Sequence, residues 1–200
     1  MTKICVFCGS GKGYREEYHE AARALGEYFV SQKISLVYGG ANVGLMQVVA
    51  DTMLAKGAEV IGIMPEKLVA KEVAHTGLTE LIIVHSMAER KEKMVQLSDG
   101  FVTLPGGFGT LDELSEILTF NQLRISDKPL GILNVSGYFD KLLGFFDHAV
   151  KEGYVRQEHR DNLIVSDNIE DLLTRMQTYR PLNMGKWIKD IKIESNHKPH

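Results

Sequence analysis

The sequence predicts an α/β domain on a doubly wound, mostly parallel sheet flanked by helices on both faces, and two observations predict it. Short, continuously apolar runs alternate with helix-length amphipathic stretches along nearly the whole chain. Strands buried on both faces read as unbroken apolar runs, unlike half-exposed ones. Glycine clusters then recur where the predicted strands end: CGSGKG (8–13), YGGANVG (38–44) and PGGFG (105–109). All three fall at carboxyl ends of parallel strands, the edge where open α/β sheets bind ligands.

In chain order, the runs KICVF, ISLVY, EVIGI, ELIIV, FVTL, LGILN and a weaker LIV predict strands at 3–7, 34–38, 59–63, 80–84, 101–104, 130–134 and 163–165. Between them, amphipathic spacing predicts helices at 14–31, 44–56, 87–97, 111–123, 138–152 and 168–178. No internal repeat or low-complexity tract breaks the pattern, so residues 1–180 are expected to form a single nucleotide-binding domain. A polar tail, 181–200, follows and ends in SNHKPH.

Composition excludes several classes. Two hundred residues with 44% hydrophobic content suit one domain with a sizeable core. The net charge of −3, with acids and bases interspersed, gives no reason to expect a nucleic-acid partner. No apolar run approaches the ~20 residues needed to span a bilayer. The opening MTKICVFCGS enters a strand pattern directly and lacks a signal-peptide layout, so cytoplasmic residence is expected. Cys5 and Cys8 have the C-x-x-C spacing, but residues three apart on a strand point to opposite faces. With no second cysteine pair and no H-x-x-x-H arrangement, no metal is expected.

The run PGGFGTLDE, 105–113, is the most informative segment. Three glycines between a strand end and a helix start let backbone N–H groups converge, and the helix N-terminus adds partial positive charge, which makes an anion cradle suited to phosphate. Glu113 stands within one turn of that cradle. Two readings of it are open: with Thr110 it has the spacing of a capping box, and it also suits an acid acting on a phosphorylated sugar. The glycines do not spell a dinucleotide fingerprint or a P-loop. Strand two ends in Tyr38-Gly39-Gly40, without the acid that would hold an NAD ribose. A mononucleotide or sugar phosphate fits better.

A second cluster lies in SMAERKEKM, 86–94. On a helix Met87, Arg90, Lys91 and Met94 form one stripe, which puts two cations on a face that two methionines would bury. Snorkelling of one of these cations over apolar surface is expected, and Ser86 with Glu89 gives a second capping box.

These residues together resemble the Lonely Guy family, cytokinin riboside 5′-monophosphate phosphoribohydrolases that are also labelled lysine decarboxylases. The resemblance rests on Pro105 to Glu113, on the Arg90-Lys91 pair, on CGS near the N-terminus, on YGGANVGLM (38–46), on SDGF (98–101) and on KPLGILNVSGYFDKLL (128–143). It implies a homodimeric, Rossmann-like enzyme without cofactor or metal. Such an enzyme hydrolyses the N-glycosidic bond of adenosine 5′-monophosphate or its N6-modified forms to free base and ribose 5-phosphate. By position it implies Arg90 and Glu113 as the catalytic pair and Gly106, Gly107, Gly109 and Thr110 as the phosphate cradle. Ser10, Gly40, Glu72, Lys91, Asp112 and Thr119 are implied as further substrate-binding positions. The chain departs from the family at Ala88, where histidine is common, at Asp112, commonly glutamate, at Phe120-Asn121, commonly Trp-Ala, and at Arg124, commonly glycine.

The implied chemistry is physically sound. Cleaving a ribosyl–nitrogen bond builds an oxocarbenium-like charge on the sugar, which a carboxylate can stabilise while activating water. Arg90 stays protonated up to pH ~12, so its role is orientation and charge, not acid catalysis. Two other classes compete. A carrier of a phosphorylated ligand such as molybdenum cofactor would need Glu113 only as a helix cap. A lysine decarboxylase would need a Schiff-base lysine and pyridoxal phosphate, and no short motif in this chain marks such a lysine.

Overall fold

A computed structural model describes residues 1–69, 71 and 73–181. Glu72 and residues 182–200, nearly all of the expected polar tail, lie outside the described residues. Seven strands form one parallel sheet: β1 (Lys3–Phe7), β2 (Ser35–Tyr38), β3 (Val60–Pro65), β4 (Glu80–Val84), β5 (Gly100–Thr103), β6 (Leu130–Leu133) and β7 (Ile164–Ser166). Their spatial order is β4-β3-β2-β1-β5-β6-β7. All six pairings are parallel, with Cys5 beside Val37 on one side and Phe101 on the other.

The helices are α1 (Glu16–Ser31), α2 (Gly44–Leu54), α3 (Glu66–Val69), α4 (Met87–Leu97), α5 (Phe108–Leu123), α6 (Asp140–Lys151), α7 (Gln157–Asp161) and α8 (Ile169–Gln177). Every strand and helix expected from the sequence is present, with ends shifted by up to three residues. The short α3 and α7 and a 3-10 turn at Val135–Gly137 were not anticipated. None of these three runs offers enough turns to show a helical period.

The alternation of side chains along β1 divides the interior in two. Ile4, Val6 and Cys8 face a core with Phe29, Leu45, Val49 and Leu172 from α1, α2 and α8. Cys5 and Phe7 face a second core with Met94, Leu114, Ile117 and Phe139. The two cysteines therefore sit on opposite faces, free and buried, and burial pushes both thiols well up from their ordinary value. This environment makes them packing residues, not nucleophiles. Among the described residues, no helix is long and apolar enough to cross a membrane.

The strand order reverses between β1 and β5, because β1 continues toward β2 on one side while β5 leads away to β6 on the other. The chains leaving these two strands diverge and open a crevice, the place where such sheets bind ligands. Gly9 N–H donates to the Pro105 carbonyl at 3.0 Å, which ties the first glycine cluster to PGGFG across this point.

Candidate active site

At the switch point lies a cavity of about 330 Å³, bordered by Ser10, Gly39, Arg90, Gly107, Thr110 and Glu113 among others. One wall is the start of α5. The helix begins at Phe108, with Gly107 as its N-cap and no side-chain capping bond. This corrects the capping-box reading of Thr110 and Glu113. Thr110 is the third helical residue and is buried, so Glu113 stands one turn further in and has no cap to serve. The first N–H groups of α5 are left for an outside acceptor.

The glycines divide by what stands against them. A Cβ on Gly106 would collide with the Thr110 side chain and come within 2.8 Å of Gly9 N. That glycine is required by packing inside the protein. A Cβ on Gly107 or Gly109 would touch nothing, so packing does not explain these two. Their bare backbone keeps the approach to the helix N-terminus open, as an anion cradle requires.

Glu113 and Arg90 meet inside the cavity. Arg90 Nη1 lies 3.8 Å from Glu113 Oε1, and both side chains are nearly buried at 11% and 12% exposure. Arg90 Nε donates to the Ile63 carbonyl at the end of β3, at 3.0 Å, and its guanidinium fills the space a Cβ on Gly39 would take. Burial pushes the Glu113 carboxyl up from 4.5 to about 7. The positive charges of Arg90 and Lys91 pull it down, and Asp112 and Glu116 add to the rise. A carboxyl that titrates near neutral pH inside a cleft has the protonation range that acid–base work needs.

Lys91 turns to α5 instead. Its Nζ pairs with Asp112 Oδ2 at 3.1 Å and Glu116 Oε1 at 3.2 Å. Burial works to lower its pKa, and hydrogen bonds to Asp112 and Glu116 outweigh it and raise the value. Neither cation of the α4 stripe snorkels as expected, because facing carboxylates on α5 hold both. Of the two methionines, Met94 is buried and Met87 is half-exposed. The Ser86 cap forms: its hydroxyl accepts from Glu89 N–H at 3.1 Å. Glu89 reaches one residue beyond the expected partner, to His85 N–H at 2.8 Å.

Of the residues expected in the site, Ser10, Arg90, Gly107, Gly109, Thr110 and Glu113 border one cavity. Gly106 lies behind it, and Lys91 and Asp112 form the ion pair beside it. Gly40 does not face the cavity; its neighbour Gly39 does. Gly40 has φ +76° and its carbonyl accepts from His75 N–H at 2.9 Å, so it turns the chain and anchors the loop before β4. Thr119 does not join the cavity either: it faces a separate one of about 210 Å³ with Leu118, Phe146 and Val155. Sequence reasoning missed the apolar wall made by Ala41, Val43, Met46, Met64, Leu68 and Val73, because single apolar residues near strand ends look the same whether they face core or ligand. Arg124, where glycine is common in the family, pairs with Asp127 at 2.9 Å at the end of α5. Its backbone is left-handed, φ +59°, the conformation that glycine adopts most easily.

A parallel α/β sheet with a glycine-lined cleft and a nearly buried Glu–Arg pair at its switch point defines a doubly wound α/β protein with a candidate ligand site. Comparison with known proteins gives the family. A family model described as "Possible lysine decarboxylase" matches residues 46–176. A cytokinin riboside 5′-monophosphate phosphoribohydrolase of Arabidopsis thaliana is 41% identical over 199 residues, 97% of this chain and 87% of its own length. Another from the same plant is 43% identical over 181 residues, 90% of this chain and 84% of its own. The molybdenum cofactor binding protein of Rippkaea orientalis superposes with a TM-score of 0.65 at 23% identity, over 88% of this chain and 95% of its own, which shows a shared fold. The chain belongs to the family of cytokinin riboside 5′-monophosphate phosphoribohydrolases.

Proposed function

We infer that this protein hydrolyses the N-glycosidic bond of adenosine 5′-monophosphates, including N6-modified forms, to free base and ribose 5-phosphate. The observation that carries this reading is Glu113: buried in the cavity, facing Arg90, held near neutrality and not engaged in a helix cap. A carrier has no use for such a carboxyl beside its phosphate cradle. For a decarboxylase, Lys91 is the wrong lysine: it is held charged by two carboxylates, the opposite of the neutral amine that Schiff-base chemistry needs.

The reaction follows from the arrangement. The α5 N-terminus and the bare backbone of Gly107 and Gly109 bind the 5′-phosphate, with Ser10 and Thr110 at its edge. Holding the phosphate fixes the anomeric carbon over Glu113, so binding far from the reacting bond supplies orientation. As the bond from C1′ to the purine nitrogen breaks, its electron pair leaves with the base and positive charge develops on the ribose. Ionised Glu113 stabilises that charge and takes a proton from the attacking water, whose oxygen joins C1′, while the departing base takes up a proton from solvent and Glu113 later releases its own. Arg90, fixed by the Ile63 carbonyl, orients Glu113 and offsets charge on the departing base. The apolar wall from Ala41 to Val73 suits a purine and an apolar N6 substituent.

The same reading includes a homodimer in the cytoplasm. Exposed Leu123 and Ile125 at the end of α5 and Phe145 in the middle of α6 supply apolar surface for a second copy. A second copy could also bring Thr119 to the substrate. Light scattering of the purified protein tests the dimer. The activity is tested by incubating the protein with AMP and isopentenyl-AMP and following free base by chromatography. Release of base together with ribose 5-phosphate is expected, and the ratio of the two rates sets the substrate preference. No release from either nucleotide would refute the reading.

A further inference from the structure

Pro105 to Gly107 separates the catalytic cavity from a second one of about 290 Å³, and Tyr138 stands in this second space with Tyr18 and Gly106. The Tyr138 hydroxyl donates to the Gly106 carbonyl oxygen at 2.7 Å. That contact has a geometric consequence. The Gly106–Gly107 peptide is trans, so its C=O and N–H point in opposite directions. With the carbonyl held toward Tyr138, the N–H of Gly107 is turned away from it, and Gly107 borders the catalytic cavity as well as the second one. Two successive glycines have little torsional preference of their own, and without a hold on this carbonyl the peptide could rotate and withdraw its donor.

Tyr138 is itself built into place. The turn after β6 places Ser136 at φ +50° and Gly137 at φ +70°, which folds the chain back toward the rim of the sheet. Asn134 locks the fold: its Oδ1 accepts from Phe139 N–H at 2.8 Å, and its Nδ2 donates to Asp140 Oδ1 at 2.7 Å. Phe139 is buried in the core and meets the Tyr138 ring edge-on at 4.9 Å, while Tyr18 meets it edge-on at 5.5 Å. A tyrosine braced on both sides, with its one polar atom on the cradle backbone, is arranged to hold that backbone still.

We propose that Tyr138 is a positioning residue of the phosphate cradle, fixing the Gly106–Gly107 peptide so that the Gly107 N–H is presented to the 5′-phosphate of the substrate. The proposal rests on the phosphoribohydrolase reading of the site. It assigns Tyr138 no contact with the substrate and no part in bond breaking; its effect is confined to recognition of the phosphate.

The test compares wild type with Tyr138→Phe, which removes one oxygen and keeps the ring between Tyr18 and Phe139. Ribose 5-phosphate and adenosine are titrated into each by calorimetry, and the Gly107 amide is followed by NMR. Losing one hydrogen bond that orients a phosphate donor is expected to weaken ribose 5-phosphate binding about three- to tenfold, with adenosine affinity unchanged and the Gly107 amide resonance shifted. Equal ribose 5-phosphate affinity in the two proteins would overturn the proposal, as would equal weakening for adenosine, which would mark a general structural role. Failure of wild type to bind ribose 5-phosphate at all would overturn the reading of the cradle on which the proposal stands.

Discussion

Replacing Glu113 by glutamine should make the protein more stable, and mainly at neutral and alkaline pH. The carboxyl is raised from 4.5 to about 7 by burial, against the pull of Arg90 and Lys91. Between those two values the folded protein keeps a proton that the unfolded chain has lost, so stability falls as pH rises through this window and stays lower above it. At about 1.4 kcal/mol per pH unit, the displacement corresponds to about 3 kcal/mol. The side chain is only 12% exposed, which leaves little solvent to screen this cost. Glutamine has the shape of the neutral acid and no charge to bury. Thermal melts followed by circular dichroism at pH 5 and pH 8 measure the effect. For a chain of this size each kcal/mol moves the midpoint by about 2–4 °C, so Glu113→Gln should melt about 6–12 °C above wild type at pH 8 and only about 2–3 °C above it at pH 5, near the foot of the window. A gap of equal size at both values, or none at pH 8, would refute the argument that burial dominates the electrostatics of this site.

Other consequences are equally direct. In the proposed reaction Glu113 is the ionised base, so kcat/KM for AMP should rise with pH and level off above about 7; a flat profile from pH 5 to 8 would remove it from the base role. Gly106→Ala must push its Cβ into Thr110 and Gly9, so nucleotide affinity should fall at least tenfold in direct titration, whereas Gly57→Ala, at a positive-φ turn away from the site, should leave it unchanged. Ser86→Ala removes the cap of α4 and should cost about 1 kcal/mol in urea denaturation. Arg124→Gly relieves a left-handed residue and should stabilise by about 1 kcal/mol after allowing for the Asp127 pair; lower stability would show that the pair outweighs the strain.

Much of the fold was legible because its signals are local. The unbroken apolar runs marked every strand, and helical spacing marked every long helix. The opposite-facing placement of Cys5 and Cys8 followed from strand geometry alone. The site was legible as far as glycine patterns could carry it: the three clusters do end strands at one edge of the sheet, and two of them meet at the switch point. What the sequence left ambiguous was register at helix starts. Thr110 and Glu113 have capping-box spacing wherever α5 begins, and only the structure, by starting the helix at Phe108, withdraws that reading. The same applies to Arg90 and Lys91, whose partners lie on α5, some twenty residues away in sequence. Tyr138 was invisible as a site residue because its partner is a backbone carbonyl, and no residue type announces that contact.

The central claim, that Glu113 performs the cleavage in a site whose cradle binds independently of it, is tested most directly by one paired measurement. Wild type and Glu113→Gln are each mixed in excess with AMP or isopentenyl-AMP in a single turnover, with free base quantified by chromatography and ribose 5-phosphate affinity measured alongside. The account predicts base release by wild type, a loss of at least about 100-fold in the variant, and ribose 5-phosphate affinity retained in both. Release undiminished in Glu113→Gln, or no release by a wild-type protein that binds ribose 5-phosphate, would contradict it.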